Sequence, residues 1–208
     1  MVNNDIKQID FLNTPIGKLF RFTGLTAVIL FYIVSLLSIH YNSWFVFTKH
    51  AFSDLGGLEA QKSGIYNWGM IILGVLVLLY SLTLIQDAIN KVEIVGGAFT
   101  FIAGIFLALI GIYPSGTQPH NFVSTWFFVQ AELAILAWGF GLLINDWKDF
   151  GKVILTMGIL GPIGAIVIQW PSVATIEAYG IVIIDVWVVL LLKIQTARLK
   201  ISPQLRRI

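Results

Sequence analysis

The chain has no cysteine among its 208 residues and very few charged side chains. The absence of cysteine excludes disulfide bonds, thiolate metal sites and cysteine nucleophiles. Charged residues make up 12% of the chain, whereas a soluble domain usually carries about 25%. Long apolar segments contain no lysine, arginine or histidine near their centres, which also excludes a haem held by paired histidines within them. These absences indicate a polytopic membrane protein.

The apolar segments predict six membrane-spanning helices and an all-α transmembrane bundle. We expect the spans at 20–40, 65–86, 95–113, 122–144, 153–170 and 175–193. Each is close to the roughly 20 residues that a helix needs to cross the hydrocarbon core. Because the spans and their connections use most of the chain, we predict a single domain over residues 1–208.

Lysine and arginine residues lie mainly on one side of these spans. Of the 13 in the chain, only Lys49 and Lys62 fall in the first, third or fifth connection. The bias of basic residues toward the cytoplasm predicts that both termini are cytoplasmic, in a multi-pass protein of the cell (plasma) membrane. The same bias accounts for the net charge of +2, so we expect no nucleic acid partner.

Two spans carry small residues at helical spacing. The third has Gly97, Thr100, Gly104, Ala108 and Gly111, and the fifth has Gly158, Gly161 and Gly164. In lipid, small residues let helix backbones approach closely, and that packing stabilises the bundle. Both stripes therefore predict helix–helix contacts, although such glycines can also admit a lipid chain or a ligand.

All three histidines lie in or beside connections on the predicted outer side. We expect an interfacial helix over 42–52 that turns at Gly56 and Gly57. On a helix, His50 and Asp54 would share one face. With His120 as third ligand and Glu177 as fourth, they would suit a divalent metal such as zinc. The structural alternative is that Asp54 caps a turn.

Residues 113–121 contain two prolines and a glycine, which predict a rigid turn. The turn would place His120 and Asn121 at the start of span four. There they can cap the helix, bind a ligand, or do both.

Two acidic residues lie deep within spans. Glu132 in span four and Asp185 in span six are each about 16 Å below the outer surface at helical rise. Carboxylates at that depth are costly and should face the bundle interior. They must be protonated, share a proton, bind a cation, or accept hydrogen bonds. We expect the hydrogen-bond donors among Tyr66, Asn67, Tyr80 and Gln130. Two interpretations are open. The acids are either neutral and join helices by hydrogen bonds, or they form a functional proton or cation site.

The sequence Phe-Ser-Asp-Leu-Gly at 52–56 is similar to the Ser-(Asp/Glu)-Leu-Gly element of the prokaryotic membrane family catalogued as domain of unknown function 998. Asn67, and Gly-Ile-Tyr-Pro at 111–114 with His120 beyond it, agree with that family, and the first four spans match best. The resemblance implies six spans and no particular activity. It also implies one outer-face group formed by Ser53, Asp54, Gly56, Pro114 and His120. The element also resembles one in eukaryotic membrane proteins linked to lipid remodelling and autophagy.

These features predict an outward-facing polar pocket that binds a membrane lipid by its headgroup. The expected binding residues are Ser53, Asp54, Asn67, Asn121 and Glu177. The expected catalytic residues are Glu132, Asp185 and His120, with Glu132 as the candidate for proton transfer. A more specific form of this hypothesis is metal-assisted lipid hydrolysis, with the ion held by His50, Asp54 and His120. One alternative is a non-enzymatic accessory subunit of a larger membrane complex. The expected protein partners are other membrane proteins or further copies of this chain in a homo-oligomer. Another is a proton- or cation-coupled transporter.

Overall fold

A computed structural model describes residues 15–200. The helices are α1 (Pro15–Phe20), α2 (Thr23–Tyr41), α3 (Gly64–Asp87), α4 (Lys91–Ile112), α5 (His120–Leu143), α6 (Lys148–Val167) and α7 (Val173–Lys200). A short 3-10 helix, Phe52–Gly56, lies between α2 and α3, and no strand occurs in the described part. The six helices from α2 to α7 are long and apolar enough to cross a membrane. The predicted all-α, six-span fold is therefore confirmed.

Helix ends differ from the predicted spans where capping extends a helix beyond the apolar segment. The side chain of Asn90 accepts hydrogen bonds from the backbone N–H groups of Val92 and Glu93, both at 3.0 Å. An asparagine in this position starts a helix whether or not the next residues are apolar. Hydropathy marks the part of a helix that lies in lipid, whereas capping marks where the helix itself begins.

The six spans pack in chain order, and the last one closes the bundle. Each helix from α2 to α5 contacts the next, and α7 contacts α6, α2 and α5. We call the end that carries connections 42–63, 113–119 and 168–172 the loop face. The opposite end, with connections 88–90 and 144–147, is the terminal face.

The glycine stripe of α4 packs directly on the backbone of α3. A Cβ atom at Gly104 would lie 3.0 Å from the backbone nitrogen of Leu78 and 3.1 Å from the carbonyl oxygen of Gly74. One at Gly97 would lie 3.1 Å from the backbone nitrogen of Ile85. The predicted close contact is confirmed, because these positions have no room for a side chain.

The predicted interfacial helix over 42–52 is wrong. The segment forms turns, and the first helical residue after α2 is Phe52. The amide of Asn42 donates to the carbonyl oxygens of Ser38 and Gln61, at 2.8 and 3.0 Å. These bonds end α2 and tie the start of the connection to its far end. Aromatic and β-branched residues, which are weak helix formers, fill the segment between.

Candidate functional site

The Ser-Asp-Leu-Gly element forms the 3-10 helix at the loop face. Asp54 Oδ2 accepts a hydrogen bond from the backbone N–H of Ala51 at 2.9 Å, and Oδ1 accepts one from Ser115 Oγ at 3.0 Å. The side-chain amide of Asn67 donates to the carbonyl oxygen of Gly56 at 3.0 Å. Asp54 is therefore a cap that also joins the first connection to the third, and Asn67 holds the element on α3.

His120 is buried at the start of α5, with 6% of its surface exposed. Its Nδ1 lies 2.8 Å from the carbonyl oxygen of Tyr113. Because a carbonyl can only accept, Nδ1 carries a proton and donates it. Nε2 lies 3.4 Å from Ser124 Oγ. The predicted turn before α5 is present, and Gly116 adopts the left-handed conformation at φ 91°.

The start of α7 is fastened to the first connection by two hydrogen bonds. Glu177 Oε2 accepts one from the backbone N–H of Phe52 at 2.8 Å. The backbone N–H of Ala174 donates to the carbonyl oxygen of His50 at 2.8 Å. Glu177 thus brings α7 against the 3-10 helix, close to the other polar residues of the loop face.

A cavity of about 780 Å³ lies between α5, α6 and α7, below the loop face. It follows α5 from His120 to Ile135, a length of about 22 Å at helical rise. Most of the predicted site residues line it, namely His50, Ser53, Asp54, His120, Asn121, Glu132 and Glu177. We call this space the α5–α7 cavity. Asn67 and Asp185 do not line it.

The predicted metal ligands share this cavity but are not grouped as a ligand set. Within residues 15–200, no three His, Asp or Glu side chains lie close enough to hold a metal ion. His50 Nδ1 instead accepts a hydrogen bond from the backbone N–H of Val46 at 2.9 Å. Because 42–51 is not helical, His50 and Asp54 never acquire the four-residue helical spacing on which the prediction rested.

The two deep acids lie in separate cavities. Asp185 lines a smaller one of about 110 Å³ among α2, α3, α4, α5 and α7, and accepts a hydrogen bond from Tyr32 Oη at 2.6 Å. Glu132 lines the α5–α7 cavity, and its buried Oε1 has no hydrogen-bond partner among the described residues. Neither acid bonds to the other, so a shared proton is not seen. Neither bonds to the predicted donors Tyr66, Asn67, Tyr80 or Gln130.

The sequence gives no signal for Tyr32. The contact joins α2 to α7, and the two residues are 153 positions apart. A tyrosine in an apolar span is usually interpreted as a core or interfacial residue. Its hydroxyl reaches Asp185 only because α7 closes the bundle against α2.

Sequence reasoning also missed a buried ionic network at the terminal face. Arg198 donates to both carboxylate oxygens of Glu93 at 2.9 Å. Arg21 donates to both oxygens of Asp87 at 2.9 and 3.0 Å. Glu93 is completely buried, and Arg21 is 3% exposed. We call these four residues the terminal-face network.

The network joins helices that are distant in sequence. Asn145, after α5, donates to Glu93 at 2.8 Å, and Gln195 of α7 donates to Asp87 at 2.9 Å. Arg198 also lies 5.9 and 5.8 Å from the ring centres of Trp138 and Trp147. The sequence does carry a signal for this network, because acidic and basic residues both occur at the ends of the spans.

These features define a multi-pass helical membrane protein with a ligand-sized cavity that opens beneath one face. A family model described as "Protein of unknown function (DUF998)" matches residues 25–193. The chain belongs to this family, and the resemblance found in the sequence is confirmed. The match runs from α2 into α7 and so extends beyond the first four spans. No curated protein and no solved structure matches the chain.

Proposed function

We propose that this protein binds a membrane amphiphile in the α5–α7 cavity, with the polar group of the ligand at the loop face. One observation carries the proposal: the cavity has polar groups at its mouth and mainly apolar walls below. At about 780 Å³, it lies within the range of about 300–1,000 Å³ that is usual for small-molecule sites. That distribution suits a molecule with a polar head and an apolar body.

The mouth offers hydrogen-bonding groups of both kinds. Nε2 of His120 lies 3.4 Å from the hydroxyl oxygen of Ser124, which donates to the carbonyl oxygen of His120. The exposed side chains of Asn121 and Thr125 add further donors and acceptors to the cavity lining. Asp54 supports the mouth through its bonds to the two connections. Each of its oxygens accepts a hydrogen bond from the protein, so we assign it a positioning role.

We propose binding alone, without a hydrolytic step. Metal-assisted hydrolysis required His50, Asp54 and His120 to act as one ligand set, and the geometry does not favour that arrangement. The accessory-subunit hypothesis requires no cavity, and it remains as an outcome of the test below.

The test is a native mass spectrum of the full chain extracted gently from its own membrane. We expect a lipid or other amphiphile bound to the wild-type protein. Thr125→Trp fills the mouth of the cavity and should remove most of that adduct. Ala98→Trp, at an exposed position on α4 outside the cavity, is the matched control and should retain it.

Two results would contradict the proposal. If the adduct survives Thr125→Trp at the wild-type level, the ligand does not occupy the α5–α7 cavity. If the chain is bare and found only within a larger assembly, the accessory-subunit function is the better one.

A further inference from the structure

We propose that Glu132 makes the floor of the α5–α7 cavity selective for a positively charged group, so that the ligand is a lipophilic cation. Such a ligand carries a protonated amine or a quaternary onium centre on an apolar body. The inference rests on the proposed function, because it takes the cavity to be a binding site. It adds the charge of the ligand and the residue that recognises it.

The carboxylate of Glu132 has no partner within the protein. Its Oε1 is buried without a hydrogen bond, and neither oxygen bonds to any residue in the described part of the chain. Buried polar atoms are nearly always satisfied, so each exception needs an explanation. A role as hydrogen-bonding glue between helices would require a donor on a neighbouring helix, and α6 and α7 supply none.

The glycines of α6 let its backbone lie close to this carboxylate. A Cβ atom at Gly158 would lie 3.2 Å from Oε1 of Glu132, and one at Gly161 would lie 3.7 Å from Oε2. Side chains at these positions would occupy the approach to the oxygens. Pro162 has no N–H, so the carbonyl group of Gly158 lacks its usual helical donor. The stretch of α6 that packs near Glu132 therefore contains a carbonyl group without its helical donor.

The charges that line the cavity favour a cation over an anion. The carboxylates of Asp54, Glu132 and Glu177 line it, and Lys49 is the one lysine or arginine among the lining residues that the structure describes. Asp54 already accepts two hydrogen bonds and Glu177 accepts one, whereas Glu132 accepts none. When Glu132 is ionised, an anionic group at this depth would meet an uncompensated carboxylate in a medium of low dielectric constant, where repulsion is strong.

The walls near Glu132 suit the apolar body of such a ligand. Phe128 and Tyr179 line the same cavity, and aromatic faces attract ammonium and onium centres. Glu132 is twelve residues into α5 from His120, which places it about 18 Å below the loop face. A cation that reaches this depth needs an apolar body to leave water and a carboxylate to balance its charge.

The test compares two probes of the same shape and opposite charge, tetraphenylphosphonium and tetraphenylborate. Equilibrium dialysis of the full chain in nanodiscs of zwitterionic lipid, corrected with empty nanodiscs, measures the binding of each. We expect the phosphonium to bind at least about tenfold more tightly than the borate. Glu132→Gln should weaken phosphonium binding at least about tenfold, which corresponds to 1.4 kcal/mol or more. Glu59→Gln, an exposed position outside the cavity, should leave it unchanged.

Equal binding of the two probes, or unchanged phosphonium binding by Glu132→Gln, would overturn the inference. We expect Glu132→Gln to fold, as judged by gel filtration and circular dichroism. If it does not, the probe pair on the wild-type protein decides alone. A lipid adduct that is lost in Thr125→Trp, with no preference for the cation, would refute this inference while the proposed function stands. If cation binding depends on Glu132 but the extracted protein carries no lipid adduct, this inference stands and the proposal of a bound membrane amphiphile is refuted.

Discussion

The buried ion pairs of this protein are formed by a few single residues at the terminal face. Glu93 is completely buried, and its two oxygens receive the fork of Arg198 and the amide of Asn145. A buried ion pair stabilises little relative to an apolar pair. Removal of one partner, however, leaves an uncompensated charge. The network therefore fixes which helix ends meet, and its loss should be costly.

We predict that Glu93→Gln lowers the free energy of unfolding by about 3 kcal/mol, the scale for breaking a buried ion pair. The cause is the guanidinium of Arg198, which would stay buried without a counter-charge. Thermal or denaturant unfolding in detergent measures the change. The control is Asp149→Asn, which breaks the exposed pair of Asp149 and Lys152 and should leave stability unchanged. If Glu93→Gln lowers the free energy of unfolding no more than Asp149→Asn does, the network does not stabilise the protein.

Among the helices, α4 and α7 pack in opposite ways. The glycines of α4 bring its backbone against α3, and little space is left between them. Helix α7 has cavities on two sides and is held by hydrogen bonds at its ends and at Asp185. The glycine stripe of α6 differs from that of α4, since Gly158 and Gly161 face the side chain of Glu132 instead of another backbone.

We predict that Gly104→Val destabilises the protein by about 1–3 kcal/mol, the usual cost of overpacking. The new side chain would collide with the backbone of Leu78 and Gly74, which cannot move without separating α3 from α4. Ala98→Val, on an exposed surface of the same helix, introduces the same residue type and should have little effect. Melting temperatures in detergent compare the two, and similar values would mean that the α3–α4 contact tolerates a side chain.

At the scale of the whole molecule, the distribution of charge bears on the orientation in the membrane. The basic residues counted toward the cytoplasm include Arg21 and Arg198, and both are used in buried ion pairs. The remaining lysines and arginines still favour the terminal face. Cytoplasmic termini in the plasma membrane therefore stay a prediction, and with them the opening of the α5–α7 cavity toward the outside.

The absence of cysteine makes this orientation simple to test, because any introduced cysteine is the only thiol. We predict that Glu59→Cys, on the loop face, reacts with a membrane-impermeant maleimide on intact cells. Asp146→Cys, on the terminal face, should react only after permeabilisation. Both positions are exposed and acidic in the native chain, so they form a matched pair. The reverse pattern would place the termini outside.

Part of the candidate site could be predicted because its residues follow helix ends closely in sequence. His120 and Asn121 begin α5, and Glu177 lies in the first turns of α7. Once the spans are known, alternate connections must share a face, so these residues are brought near one another. The predicted metal ligands are not grouped in the described residues, because that arrangement depended on helical backbone over 42–52. Local hydrogen bonds of Asn42 and packing among aromatic rings decide that conformation.

The sequence alone determined the fold class, the six spans, the family and the close packing of the third span. Hydropathy and small-residue spacing are properties of single segments, and lipid imposes the same helical solution on each. Only the tertiary structure decided that Asp185 meets Tyr32, that Glu93 meets Arg198, and that Glu132 has no partner. Each of these depends on where α7 closes the bundle. That position follows from contacts between segments far apart in the chain, which no local pattern specifies.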